Sequence, residues 1–132
     1  MTQPNEDLVR AASAAFGRGD LATVRDQFLT QNIVWHVAGN GPLAGDYQGM
    51  AQVMRLLGTV ADLSAGTVRA ELHDVLSSSS HTVVLATIRA ERAGKRLELN
   101  VVHVIHSDNG RATEVWTHSP DPATAASFWS SP

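Results

Sequence analysis

The fold of this chain is decided by the stretch LELNVVHVI, residues 97–105. Apolar side chains occupy every second position of this stretch except one, where His103 stands. Because successive side chains of a β-strand point to opposite faces of the sheet, the pattern predicts a strand with one histidine among the core residues of its inner face. Histidine ionises nearest neutrality, so this position is a candidate for proton-transfer chemistry.

The rest of the second half has the same strand-like character. Four consecutive strands are predicted, over residues 67–76, 81–92, 96–106 and 111–118. The segments between them are rich in Ser, Gly, Asn and Asp, which are the residues that favour turns. We therefore expect this half of the chain to form a meander of antiparallel strands.

The first half is predicted to be mainly helical. Three segments carry apolar side chains at helical spacing, one near the N-terminus, one after Asp20 and one over residues 50–60. A first strand is expected at residues 33–37, and the Gly- and Pro-containing segment 39–49 is expected to lack regular structure. A short terminal helix should follow Asp121. Together these elements predict an α+β fold over residues 1–132, in which a cone-shaped, curved antiparallel sheet packs on three helices of the N-terminal half and leaves a hydrophobic pocket.

The composition of the chain excludes several classes of site and partner. The chain has 132 residues, a formal net charge of −3 and no cysteine, so disulfides, thiol nucleophiles and Cys-ligated metal sites are excluded. The mild negative charge argues against nucleic acid as a partner. No apolar run reaches the ~20 residues that span a bilayer, and the first residues are polar and acidic. We therefore expect a cytoplasmic protein without a membrane partner.

Several short motifs, in their order and spacing, resemble the nuclear-transport-factor-2-like superfamily, specifically its SnoaL-like and ketosteroid-isomerase-like branch. These motifs are GDL (19–21), VWHVAG (34–39), PLAGDYQG (42–49), VHVI (102–105) and DNGRATEVW (108–116). The resemblance covers nearly the whole chain. It implies a single domain of this type, with a pocket for a small hydrophobic molecule.

The resemblance also assigns positions to the catalytic groups of relatives. In ketosteroid isomerases a carboxylate on the first strand shuttles the proton, and that position corresponds to His36. A second acid, which helps form the oxyanion hole, corresponds to His103. The first-helix tyrosine of the isomerases corresponds to Ala12, and the acid/base aspartate of SnoaL-type cyclases corresponds to Thr117. The implied activity is therefore general acid–base chemistry with altered residues.

The two candidate catalytic residues differ in how they are supported. His103 shares the inner face with apolar residues in the strand alternation, and the resemblance places it in the pocket as well. For His36 the alternation predicts the outer face, whereas the resemblance places it in the pocket. We follow the resemblance and predict that His36 acts as the base and His103 as the group that stabilises developing oxyanion charge, with His118 as an alternative base.

The remaining site predictions concern the pocket wall. We expect the substrate to contact a set of residues drawn from the strands, the third helix and the Gly-rich loop. These are Trp35, Val37, Tyr47, Met54, Leu57, Leu99, Val101, Ile105, Val115 and Thr117. No metal-ligand spacing accompanies the histidines, so neither a metal nor a cofactor is predicted.

The functional hypothesis is a cofactor-independent enzyme that acts on a small hydrophobic molecule, of the isomerase, cyclase or dehydratase type. A non-catalytic, dimeric protein that binds such a molecule is the first alternative, and an epoxide hydrolase is the second. A homodimer is expected because the outer face of the sheet is predicted to expose too many apolar residues. That predicted patch consists of Val84, Ala86, Ile88, Val102, Val104 and Trp116.

Overall fold

The computed structural model describes residues 4–39 and 41–130 and contains four helices in these ranges. They are α1 (Pro4–Gly17), α2 (Leu21–Thr23), α3 (Gly49–Leu63) and α4 (Pro122–Trp129). A turn of π-helix, Val24–Phe28, continues α2 directly into the first strand. Asp20 begins α2, because its Oδ1 accepts a hydrogen bond of 3.1 Å from the Thr23 backbone N–H.

Six strands form one curved sheet. They are β1 (Leu29–Val37), β2 (Gly45–Gln48), β3 (Arg69–Ser77), β4 (His81–Arg92), β5 (Lys95–Asp108) and β6 (Arg111–His118). Their order across the sheet is β2-β1-β6-β5-β4-β3. The predicted α+β class is confirmed, and all neighbours are antiparallel except β1 and β6, which run parallel. The expectation that residues 39–49 lack regular structure is wrong for β2, which pairs with β1 as a short edge strand.

The inner face of the sheet builds the core. Residues Leu97, Leu99 and Val101 of β5 are buried there, as the alternation predicts. Val84 of β4 pairs with His103 across the two strands, so it lies on this same face and is 1% exposed. Cross-strand partners share a face because their side chains leave the pleat on the same side.

The predicted composition of the outer patch is wrong for β4. Val84, Ala86 and Ile88 lie on the inner face, where they pack into the core. Val104 pairs with Trp116, whose indole stacks on the outer face, so the β5 and β6 members of the patch are placed as predicted. The homodimer stays a prediction.

The last helix closes one end of the inner face. Its N-cap is Asp121, whose Oδ1 accepts from the Thr124 backbone N–H at 3.1 Å. The Arg92 guanidinium donates to the Phe128 carbonyl at 3.0 Å and so holds the C-terminal end of α4 on the β4–β5 hairpin. Gly41 lies against α4, because a Cβ there would come within 2.7 Å of the Ala126 Cα. No helix in the described ranges is long and apolar enough to cross a membrane.

Candidate functional site

A cavity of about 360 Å³ lies between the inner face of the sheet, α1, α3 and α4. The loop over residues 38–44, apart from Asn40, contributes to its rim together with α4. The wall is overwhelmingly apolar. It includes eight residues predicted to contact the substrate, namely Trp35, Val37, Leu57, Leu99, Val101, Ile105, Val115 and Thr117.

His103 lies on the sheet side of the cavity. Its Nδ1 lies 2.8 Å from the Thr117 Oγ1, and the two residues are cross-strand partners on β5 and β6. Burial among apolar side chains lowers the pKa of His103 from 6.5 to about 4, because the charged ring would lose its hydration there. The ring is enclosed by protein, yet part of its surface is open to the cavity. His103 is therefore neutral at pH 7.

Trp35 completes a hydrogen-bonded row on this wall. Its indole Nε1–H donates to the Thr117 Oγ1 at 2.9 Å. The Trp35 ring stands edge-on to the His103 ring, with 6.3 Å between ring centroids and 85° between planes. Thr117 thus joins the two aromatic rings through a single oxygen. No further hydrogen bond of His103 occurs in the part of the chain that the structure describes, so its Nε2 faces the cavity unpartnered.

The prediction that His36 faces the pocket is wrong. The ring lies on the outer face, where Nδ1 is 2.6 Å from the Asp46 Oδ1 and Nε2 is 2.6 Å from the Glu114 Oε2. It also stacks on Trp116, with 5.6 Å between ring centroids. Hydrogen bonds to Asp46 and then to Glu114 raise the pKa of His36, because both favour the charged ring. His36 is an ion-pair residue that joins β1, β2 and β6, since the period-two alternation of β1 turns Trp35 inward and His36 outward.

Two other predicted contact residues lie beside the cavity and not on its wall. Tyr47 shares the inner face with its partner Trp35, but its hydroxyl donates to the Leu43 carbonyl at 2.7 Å and its ring packs in the core around Ile33. Met54 packs in the same core cluster. Neither of them is among the residues that line the cavity.

His118, the alternative base, lies at the cavity rim. It is the last residue of β6, it is exposed, and it borders the cavity at the end of the strand, although its cross-strand partner Val102 lies on the outer face. Ser13 of α1 and Ser107 of β5 add small polar groups elsewhere on the wall. Among the described residues no Asp, Glu, Lys or Arg lines the cavity, and no group of three or more His, Asp or Glu is arranged to hold a metal.

The sequence reasoning missed the contribution of α4 to the site. Pro122, Ala125, Ala126 and Trp129 form part of the cavity wall, although only the existence of this helix was predicted. The available signal was the pair Phe128 and Trp129, two large apolar side chains that favour burial over exposure to solvent.

The fold and this wall can be compared with known proteins. The family model for the SnoaL-like domain matches residues 9–115. The chain belongs to this family. A similar solved structure is described as NTF2-like, and together with the family model this confirms the resemblance drawn from the sequence motifs.

Relatives of this SnoaL-like protein are similar to it in sequence or structure over nearly the whole chain. An uncharacterized protein of Mycobacterium tuberculosis is 38% identical over 124 residues, which cover 93% of this chain and 94% of the relative. The solved structure of Bal32a, from a soil-derived mobile gene cassette, has a TM-score of 0.90 at 32% identity and covers 96% of this chain and 97% of its own. An NTF2-like protein of unknown function from Burkholderia pseudomallei has a TM-score of 0.86 at 27% identity and covers 98% of this chain and 100% of its own.

Proposed function

We propose that this SnoaL-like protein is a cofactor-independent enzyme that moves a proton on a small hydrophobic carbonyl compound, in an isomerisation, cyclisation or dehydration. The observation that supports this most is the His103 ring nitrogen that faces an apolar cavity without a protein partner. An apolar cavity with one polar anchor is typical of small-molecule sites. The volume of about 360 Å³ suits a molecule of two or three rings.

In this mechanism His103 stabilises charge and does not itself become charged. Its low pKa keeps the imidazole neutral at pH 7, and a neutral imidazole can still donate a hydrogen bond to a carbonyl oxygen. When a proton leaves the carbon next to the carbonyl, negative charge grows on that oxygen. A fixed donor in a water-poor cavity stabilises such charge more strongly than water does.

His118 is the residue proposed to take the proton. The outward position of His36 removes the base that the resemblance implied, and His118, at the open end of β6, is the other imidazole among the described residues that border the cavity. The C–H bond of the substrate breaks, a new N–H bond forms on His118, and the proton then returns to a second carbon or to a departing oxygen. Its place at the rim gives this proton access to solvent.

Deuterium uptake from D₂O at the α-carbon of 2-tetralone, a two-ring ketone, tests the proposal. We expect the wild type to accelerate uptake over buffer, and His103→Leu and His118→Ala each to lower the rate by about 100-fold. His36→Gln is the matched control, because it removes an imidazole from the other face of the sheet, and it should keep the rate. Equal rates in the wild type and in both cavity variants would contradict the proposed roles.

A non-catalytic binding protein is the second candidate, and one observation favours it. No carboxylate lines the cavity among the described residues, so the carboxylate base that the resemblance to ketosteroid isomerases implies has no counterpart on the wall. In that case 2-tetralone binds, as judged by quenching of the fluorescence of Trp35 and Trp129 on the cavity wall, but no deuterium uptake above buffer is seen. The epoxide-hydrolase alternative needs an Asp-Arg-Asp set, and neither residue type lines the described cavity.

A further inference from the structure

We propose that Thr117, held by Trp35, is a positioning residue that fixes His103 as the Nε2–H tautomer, so that the cavity recognises ligands by a hydrogen-bond-accepting oxygen. This deepens the proposed function, on which its ligand class rests. Two distances to the Thr117 Oγ1 support this proposal. The Trp35 Nε1 lies 2.9 Å from this oxygen and the His103 Nδ1 lies 2.8 Å from it.

The protons and lone pairs of the Thr117 hydroxyl determine how its two hydrogen bonds are directed. An indole nitrogen can only donate, so the Trp35 N–H takes one of the two acceptor positions of the Thr117 hydroxyl. The hydroxyl has one proton of its own to donate. The described residues offer that proton no acceptor other than the His103 Nδ1. A hydroxyl proton without an acceptor in this apolar environment would carry the cost of an unmade hydrogen bond.

The direction of the Thr117 hydrogen bond determines the tautomer of the His103 imidazole. If the Thr117 hydroxyl donates to Nδ1, that nitrogen holds a lone pair, and the proton of the neutral ring is on Nε2. Nε2 is the nitrogen that faces the cavity. The wall therefore presents an N–H to the ligand, at a position fixed by three packed residues on β1, β5 and β6.

The register of three strands places Trp35, Thr117 and His103 side by side. Trp35 and Val37 lie in register with Val115 and Thr117 on the parallel strand β6, and Thr117 lies in register with His103 on β5. The backbone pairing of three adjacent strands thus sets the row of side chains. The edge-on contact between Trp35 and His103 further restricts rotation of the imidazole. The donor direction is consequently built into the sheet before any ligand arrives.

The chemical class of the ligand follows from the donor. An oxygen that accepts one hydrogen bond, as in a ketone or an ester, satisfies Nε2–H. A carboxylic acid anion would bring a full charge into a wall that has no Lys or Arg among its described residues. A hydrocarbon of the same shape would leave the N–H unpaired. The site should thus favour neutral, apolar carbonyl compounds.

The tautomer can be measured without any assay of activity. In ¹⁵N-labelled protein near pH 7, long-range ¹H–¹⁵N spectra distinguish a protonated ring nitrogen from one that carries a lone pair, and the His103→Asn variant assigns the signals of this ring. We expect a lone pair on Nδ1 and a proton on Nε2 in the wild type. Thr117→Ser should keep this pattern, whereas Thr117→Val should give a mixture of tautomers. A proton on Nδ1 in the wild type overturns the proposal, whatever the outcome of the deuterium experiment.

The ligand class is tested with two probes of one shape, 2-tetralone and tetralin, which lacks the oxygen. We expect Thr117→Val to weaken binding of 2-tetralone by about tenfold and to leave the affinity for tetralin unchanged, because only the ketone uses the Nε2–H. Thr117→Ser should restore the affinity for 2-tetralone. If the variant weakens both probes equally, or if the wild type binds tetralin as tightly as 2-tetralone, the inference is wrong.

Discussion

Two histidines, one on each face of the sheet, have partners that determine their charge. On the outer face, His36 lies between Asp46 and Glu114, and both of its nitrogens have a carboxylate 2.6 Å away. On the inner face, His103 meets a hydroxyl on one nitrogen and an apolar cavity on the other. Both carboxylates can accept from the ring only if each nitrogen carries a proton, so His36 is the charged imidazole and His103 is the neutral one.

The comparison separates a histidine that has both ring nitrogens paired from one that keeps a ring nitrogen without a protein partner in the described ranges. His36 links three strands and has no free nitrogen left for a ligand. The Nδ1 of His103 is hydrogen-bonded to Thr117, and its Nε2 has no protein partner among the residues that the structure describes. The type of residue and its position in a strand are the same in both cases. What differs is the face, and with it the local solvent and the nearby charges.

The largest effect that would sharpen this contrast is the loss of stability in acid due to His103. The folded-state pKa of about 4 lies below the ordinary 6.5, so between these values the unfolded chain binds a proton that the native chain excludes. The stability from this residue is present above pH 6.5 and falls as the pH drops towards 4, by about 3 kcal/mol. Urea unfolding of wild type and His103→Gln across this range measures it.

The variant should lose this part of the acid dependence, and its curve should run flatter than that of the wild type between pH 6.5 and 4. His36→Gln is the matched control and should keep the steep portion. If both variants follow the wild-type curve, His103 is not buried as a neutral ring.

Sequence reasoning reached most of the fold, since long strands with turn residues between them need little tertiary information. The bounds of β4 and β6 agree with the prediction at both ends. β2 was missed because it has four residues, begins at Gly45 and is stabilised by its pairing with β1, which no local pattern records. The face of β4 was also misassigned, because Val83, Val84, Leu85 and Ala86 are all apolar and give no alternation to read.

The candidate site was reached only in part. Strand alternation alone placed both His103 and His36 on the correct faces, and the comparison of motifs with ketosteroid isomerases moved His36 to the wrong one. A position matched to relatives by sequence does not specify which side chains contact the residue there. In this chain Asp46 and Glu114 bind the His36 ring on the outer face. The row of Trp35, Thr117 and His103 depends on register across three strands, which the sequence does not specify.

The smaller effect concerns His36 and has the opposite sign. Its pKa is raised by Asp46 and Glu114, so its contribution to stability is fully present below about pH 6.5 and is lost as the pH rises through the higher folded-state value. Asp46 is 68% exposed, so solvent screens the pair and we expect roughly 1 kcal/mol or less. Urea unfolding on the alkaline side of pH 6.5 should show this decline.

The His36→Gln variant should remove the alkaline decline, and high salt should weaken it in the wild type because the ion pairs are near the surface. His103→Gln is the control for this side of the profile and should retain the decline. A wild-type stability that rises between pH 6.5 and 8 because of His36 would mean that the ring is neutral on the outer face.

The opposite states of the two rings can be compared directly in one titration. The protein has six histidines, and the His36→Gln and His103→Asn variants identify the two signals that matter in ¹H–¹⁵N spectra recorded from pH 4 to 9. We predict that His103 stays neutral down to a midpoint near 4, whereas His36 stays charged above pH 6.5. If His103 takes up its proton near pH 6.5, or if His36 is neutral there, the two faces do not differ as described and the account is contradicted.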